Sequence, residues 1–442
     1  MKLLLRTKLT ILIITLMAAT VQAEGKIYSL NDAYHAAINT NEVIGISAET
    51  VIQSENRVDQ AWTYLYPRIV VQSAYTRYND TLPAGGGPII FQPTEQVMAA
   101  LVLTQPLYTG GRTFAALRTA QTMREASQSG FEFAIQNTLL TVAQAYHGAI
   151  KAQKIVDISR RAVERMERHK KVTELEASTR RNKANMSSLL RATTLISMAR
   201  INLIRAEDGL KIARSQLSLV TKLPNDAVLV EPEALTPVQE TFEQLKTTAM
   251  SKRADFAGSR LNQKISEENV TIVTGAHYPQ VYMELGAKYM DSQPATGMDA
   301  TSYYGGLRLQ IPIFEGGLMK AETSEARSKV RQAKLATALL ERTIETEIHE
   351  AQINLQTITA VLETAKLQLG YAKETFDTVE GLFAEGLLSS LSLIDAEQAL
   401  SQAERELANA VSEQQLAILR LMKSIGTLGQ SEFISEAKHA TS

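Results

Sequence analysis

The chain has 442 residues with 46 Lys and Arg against 47 Asp and Glu, a near-neutral balance that suggests no nucleic-acid partner. It contains no cysteine, which excludes disulfides and also a lipid anchor on a cysteine behind a signal peptide. Its 6 histidines are scattered singly and no His/Asp/Glu set has metal-ligand spacing, so neither a metal nor a cofactor is expected.

Lys2, Arg6 and Lys8 precede an apolar run from Leu9 to Met17 and small residues ending Val21-Gln22-Ala23. This is the layout of a secretory signal peptide over 1–23, whose removal leaves 43 basic against 47 acidic side chains, a net charge of about −4. No other run approaches the roughly 18 apolar residues of a spanning helix. If the chain crosses a membrane, strands must do it.

Leu30, Ala33 and Ala37 predict a short amphipathic helix, and Ile44, Val51, Val58 and Leu65 a second one ending at Tyr66-Pro67. A strand follows over about 69–78, rich in Val, Tyr and Thr. Asn79 to Pro93, with Pro83, Pro88 and the Gly85-Gly86-Gly87 tract, reads as a loop. No helix with a Lys-Ser/Thr start follows those glycines, so they are not a phosphate cradle. A second strand over about 97–106 leads to Pro106, Tyr108 and the pair Gly110-Gly111. That order predicts a sharp strand-to-helix junction: proline suits the end of a ladder, and glycine reaches φ > 0 without a Cβ clash.

Residues 107–223 contain no proline, a stretch too long for one globular helix. We read a helical hairpin over about 112–222 that breaks near Arg180 to Asn185. Its second arm carries Leu189, Ala192, Ile196, Ala199, Leu203, Ala206, Leu210, Ala213 and Leu217, a 3,4 repeat typical of helices packed side by side. An arm of about 65 residues rising 1.5 Å each extends nearly 100 Å.

A connector over 224–242 separates this first repeat, 24–223, from a second at 243–425, with a tail over 426–442. The second repeat reaches Tyr278-Pro279, then predicts strands over about 280–290 and 302–312. Val281, Met283, Leu285, Ala287 and Tyr289 share one face, and Tyr282, Glu284, Gly286 and Lys288 the other. The return strand puts Tyr303, Leu307, Leu309 and Ile311 opposite Tyr304, Arg308 and Gln310. Such apolar-out, polar-in runs of about ten residues match strands of an outer-membrane barrel. The second junction, Pro312, Phe314 and Gly316-Gly317, opens a helical hairpin over about 318–425. Its ladder from Leu393 to Leu421 repeats the first at a shift of 204 residues, with Gln414 against Leu210 as the exception. Four strands cannot close a barrel, and an open edge in lipid leaves backbone groups unsatisfied, so copies must associate. Two copies would give eight strands around a filled core; three would give twelve around a lumen.

The paired Tyr-Pro segments, the two Pro-x-aromatic-x-Gly-Gly junctions and the turn Phe383-Ala-Glu-Gly386-Leu-Leu-Ser-Ser-Leu-Ser-Leu-Ile-Asp395-Ala resemble the TolC family of outer-membrane channel proteins over essentially the whole mature chain. The resemblance implies an α+β membrane protein in which long antiparallel helices form an α-barrel and four transmembrane strands per chain contribute to a homotrimeric twelve-stranded β-barrel in outer-membrane lipid. It further implies a passive exit duct for efflux or type I secretion, reaching into the periplasm to meet a periplasmic adaptor and an inner-membrane pump. By the same resemblance Gly386, Leu387 and Ser389 match an adaptor-docking hairpin tip, with Asn182 at the equivalent place of the first hairpin. Asn is tolerable there because it accepts the left-handed region better than most residues. Asp395 matches an acid at a pore constriction, whose companion acid is Ser392 here, and Leu388 replaces a latching arginine. Asp395 also reads as a solvated acid on a Leu-rich helix.

Two other classes compete. The heptad ladders alone fit a non-conducting coiled-coil protein of the periplasm or cell surface, which leaves the strand pairs unexplained. A periplasmic enzyme would need a nucleophile elbow, a paired-acid site or a cofactor fingerprint, and none is found.

Overall fold

A computed structural model describes residues 27–83, 90–179, 183–236, 240–296, 300–429 and Phe433. The chain runs β1 (Ile27–Tyr28), α1 (Leu30–Thr40), α2 (Glu42–Thr63), β2 (Arg68–Arg77), β3 (Leu82–Pro83), β4 (Ile90–Gln92) and β5 (Glu95–Tyr108). It continues through α3 (Arg112–Thr179), α4 (Lys183–Thr221), β6 (Val228–Leu229), α5 (Phe242–Lys252), α6 (Ala254–Gly275), β7 (Gln280–Gln293), β8 (Ala300–Gln310), α7 (Leu318–Ala384) and α8 (Ser390–Ser424). The signal segment, Asn182 and the Gly85–Gly87 tract lie outside the described residues. Among these residues no helix is long and apolar enough to cross a membrane. The chain forms two compact units, each drawing on both repeats: residues 45–134 with 247–346, and residues 1–44, 135–246 and 347–442.

The first unit holds a four-stranded antiparallel sheet in the order β2-β5-β7-β8. The alternation survives in the register: Val281, Met283 and Ala287 face Leu309, Leu307 and Tyr303, while Tyr282 and Gly286 face Arg308 and Tyr304. On the polar face Arg308 pairs with Glu284 at 2.6 Å. Among the described residues both outer strands lack a second neighbour within the chain, and β8 is exposed along its whole length.

Several strand limits differ from the expected ones. β5 runs on to Tyr108, so Pro106 lies inside the ladder opposite Tyr282 and not at its end. The register shifts between Pro106 and Tyr108, and such an irregularity is where a strand tolerates a missing N–H. Pro312 falls beyond β8, which stops at Gln310. β2 spans 68–77, β7 extends to Gln293 and β8 starts at Ala300. The expected loop over 79–93 contains the short pair β3–β4, and the expected extended connector carries β6, paired in parallel with β1.

In the helices of this unit, Val58 and Ala61 of α2, with Leu65 just beyond its end, pack on Leu117 and Ala120 of α3. α6 is tied to α3 by a two-pronged Arg118–Glu268 pair at 3.0 and 2.8 Å, and to α7 by Ser259–Thr337 at 2.9 Å.

In the second unit the α7–α8 seam is the Leu/Ala ladder read from the sequence. Leu393, Ala396, Leu400 and Ala403 pack on Ala372, Phe376 and Phe383, and further along Leu407 and Ala410 pack with Leu362 and Ala365. The fully buried Tyr146 of α3 holds the β1–β6 pair, its hydroxyl 2.9 Å from the Tyr28 carbonyl and 2.7 Å from that of Val230. Beside it His147 is buried, and its Nε2 makes no hydrogen bond among the described residues. Burial pulls its pKa down to about 4, so the fold holds it neutral.

That shift fixes a sign. The unfolded chain takes up this proton near the ordinary histidine value while the folded chain refuses it until about pH 4, so the stabilisation is present above about pH 6.5 and is lost steadily below it. At about 1.4 kcal/mol per pH unit the loss by pH 4 is about 2–4 kcal/mol. His147→Leu is expected to remove this slope from the denaturant midpoint measured against pH; an unchanged slope would show that other groups set it.

Candidate functional site

The tip between α7 and α8 is built by two caps. Gly386 takes φ +77°, a conformation that crowds any Cβ, and this ends α7. Its N–H donates to the Phe383 carbonyl and the Leu387 N–H to that of Leu382, each at 2.9 Å, the bond pair that satisfies the last carbonyls of a helix. Leu387 is thereby left at the apex, 68% exposed. Two residues later Ser389 adopts φ −82°, ψ 155°, and its Oγ accepts the Ser392 N–H at 3.4 Å, capping α8. The Ser392 hydroxyl lies 3.2 Å from that of Ser389. Gly386, Leu387, Ser389 and Ser392 thus meet in one short turn, with Leu388 half-buried between them.

α3 holds this turn from the side. The His169 ring lies 5.0 Å from that of Phe383, and its Nε2 is 3.1 Å from the Ser390 hydroxyl. Burial lowers the His169 pKa below the ordinary range, so the ring meets Ser390 as a neutral partner.

Asp395 sits on α8 one turn beyond Ser392 and is exposed, as are Gln398, Ala399 and Gln402. About 200° around the helix, on its opposite side, Glu397 is buried. Arg165 of α3 grips it with two prongs, Nε to Oε2 at 2.5 Å and Nη2 to Oε1 at 2.9 Å. The same Nη2 is 3.4 Å from Ser401 and from Glu404, and Arg161 reaches Glu404 at 3.4 Å. The guanidinium lies 5.7 Å from the centre of the Phe376 ring. Burial alone would lower the Arg165 pKa, but its hydrogen bonds and the charges of Glu397 and Glu404 raise it. No motif marks this group in the sequence. What signals it is Glu397, Ser401 and Glu404 at i, i+4 and i+7 facing Arg161 and Arg165 at i and i+4. Among the described residues no group of three or more His, Cys, Asp or Glu side chains is placed to hold a metal.

The strand-to-helix junctions lie in the other unit. Gly110, Gly111, Gly316 and Gly317 all have φ between +64° and +91°. Gly110 is also pressed against the end of α6, where a Cβ would strike the Gly275 carbonyl oxygen, whereas nothing lies within 4 Å of one at Gly316 or Gly317. The two junctions therefore share a turn but not a neighbour.

The sequence and the fold both have known counterparts. The chain is 20% identical over 406 residues to the outer membrane protein TolC of Vibrio cholerae, covering 89% of each chain. It is 22% identical over 355 residues to the alkaline protease secretion protein AprF of Pseudomonas aeruginosa, covering 76% of this chain and 71% of that one. Its fold matches the CmeC outer membrane channel of Campylobacter jejuni with a TM-score of 0.81 at 15% identity, over 93% of this chain and 89% of that one. The family model described as "Outer membrane efflux protein" matches residues 34–221 and 245–427, both repeats and nearly all of their helices. Paired strands, duplicated junctions and long helices are thus the parts of an outer-membrane exit duct for efflux or secretion, and the chain belongs to the outer membrane efflux protein family.

Proposed function

We propose that three copies of this chain close one twelve-stranded barrel in outer-membrane lipid, and that their helices conduct substrates passively from an inner-membrane pump and a periplasmic adaptor. The observation that carries this is that, among the described residues, β2 and β8 each leave one edge unpaired. Because the chain is duplicated, the β5–β7 pairing between its repeats is a template for pairing between copies. Pro106 to Pro312 is a shift of 206 and Pro279 to Pro67 a shift of −212, so the pair Thr104–Glu284 maps onto Gln310 opposite Gln72 of the next copy. Leu307 then faces Tyr75, and Leu309 faces Ser73. This register keeps the apolar face continuous, which a slip of one residue would not.

The chain lacks cysteine, so the register is directly testable. Leu307→Cys with Tyr75→Cys is expected to give disulfide-linked oligomers on oxidation, and Leu307→Cys with Ala74→Cys far fewer. The reverse order would overturn the pairing. At the tip, Gly386, Leu387, Ser389 and Asn182 are the proposed adaptor contacts, supported by the exposed apex at Leu387. Asp395, with Ser392 beside it, is the proposed constriction acid. Asp395→Ala in planar bilayers is expected to lower the cation-to-anion permeability ratio several-fold; unchanged selectivity and current would show that the acid lies off the path.

A further inference from the structure

We infer that Arg165, with Glu397 and Glu404, is a positioning group that sets the rotation of α8 and so decides which side of that helix stays open. The seam between α7 and α8 alternates Leu and Ala, and such a ladder attracts without direction: turning or sliding the helix exchanges one apolar contact for a similar one. The ionic group is directional. A guanidinium fork fits a carboxylate in one plane, and both partners are nearly out of water, with side chains 11% and 4% exposed.

The group is also placed to act on rotation. Glu397, Ser401 and Glu404 line one side of α8, while Asp395 and Gln402 lie about 200° from Glu397 and Glu404 respectively. Holding the back of the helix against α3 therefore fixes its front. The duplication isolates the device. At the shift of 204, Glu397, Glu404 and Arg165 correspond to Thr193, Arg200 and Leu369, so these positions hold no buried charge pair, and Arg200 instead meets Glu167 at 2.7 Å in an exposed pair. A buried ionic group seldom outperforms apolar packing in stability, and its attested use is to fix register.

The consequence for conduction rests on the assignment of Asp395 proposed above; the positioning itself does not. In the cysteine-free background, single cysteines at Asp395 and Gln402 on the front and at Ile394 and Ala403 in the packed sides would be labelled with a maleimide on the assembled duct. The parent is expected to label at the front only. Arg165→Met is expected to raise labelling at Ile394 and Ala403 several-fold and lower it at the front. Arg165→Lys, which keeps charge without the fork, should fall between. The variant combining Arg165→Met, Glu397→Met and Glu404→Leu leaves no buried charge of this group unpaired, since the one partner it strands, Arg161, is half-exposed to water, so it should assemble even where Arg165→Met does not, and it should still lose the sharp pattern. A pattern in that variant as sharp as the parent's would overturn the inference. Because labelling is read without current, a blurred pattern combined with an unchanged current for Asp395→Ala would uphold the positioning role and remove the pore assignment alone.

Discussion

Gly110→Ala is expected to deplete folded protein from the outer membrane, while Gly316→Ala leaves most of it. Both residues sit at φ near +65°, where a Cβ costs about 1–2 kcal/mol. Only at Gly110 does the added carbon strike the Gly275 carbonyl oxygen and come within 2.8 Å of the Tyr278 Cβ. Gly275 is itself locked, since a Cβ there would lie 2.9 Å from the Gly110 carbonyl oxygen. Two backbones touching through paired glycines cannot yield as a flexible side chain would, so overpacking adds about 1–3 kcal/mol to the conformational cost. The sum, about 2–5 kcal/mol, is a large part of ordinary folding stability. The check is the amount of protease-resistant protein in isolated outer membranes for each variant at matched expression. Equal losses at the two positions would mean that the α6 contact is not what makes the first junction fragile.

Gly386→Pro is expected to abolish export while oligomers persist. Proline fixes φ near −65° where the turn needs +77°, and it deletes the N–H that donates to the Phe383 carbonyl. The tip must then re-form with a different path, at a cost of about 3 kcal/mol or more. Around the glycine there is open space, so the damage is confined to the turn's shape. Gly386→Ala, which strains only the backbone, should cost about 1–2 kcal/mol, and Gly386→Asn less, because Asn accepts left-handed φ. Export of a fluorescent pump substrate, measured beside oligomer yield on gels, separates the outcomes. Loss of oligomers with Gly386→Pro would make the turn a folding element rather than a contact surface.

Much of this was legible because it is periodic or punctuated. The Leu/Ala ladder from Leu393 named one side of α8, and the alternation through Tyr303, Leu307 and Leu309 named one face of β8, since each pattern has the period of its element. Glycine pairs marked turns that demand φ > 0. What stayed hidden is non-local. Arg165 and Glu397 are separated by 232 residues, and no local pattern says that α3 brings them within reach. The same holds for His169 against Ser390, and for the crowding of Gly110 by Gly275, which makes two identical-looking junctions unequal. Pro106 misled for a different reason: a ladder irregularity forgives a missing donor, and irregularities leave no mark in sequence.

The bare margins of β2 and β8 have a consequence for biogenesis. Under the proposed assembly, a newly exported subunit arrives with two strand edges that find no partner among its own described residues, each a template for whatever strand it meets first. Its maturation is therefore a race between finding siblings and aggregating, and the yield of finished ducts should rise more steeply than in proportion to synthesis rate.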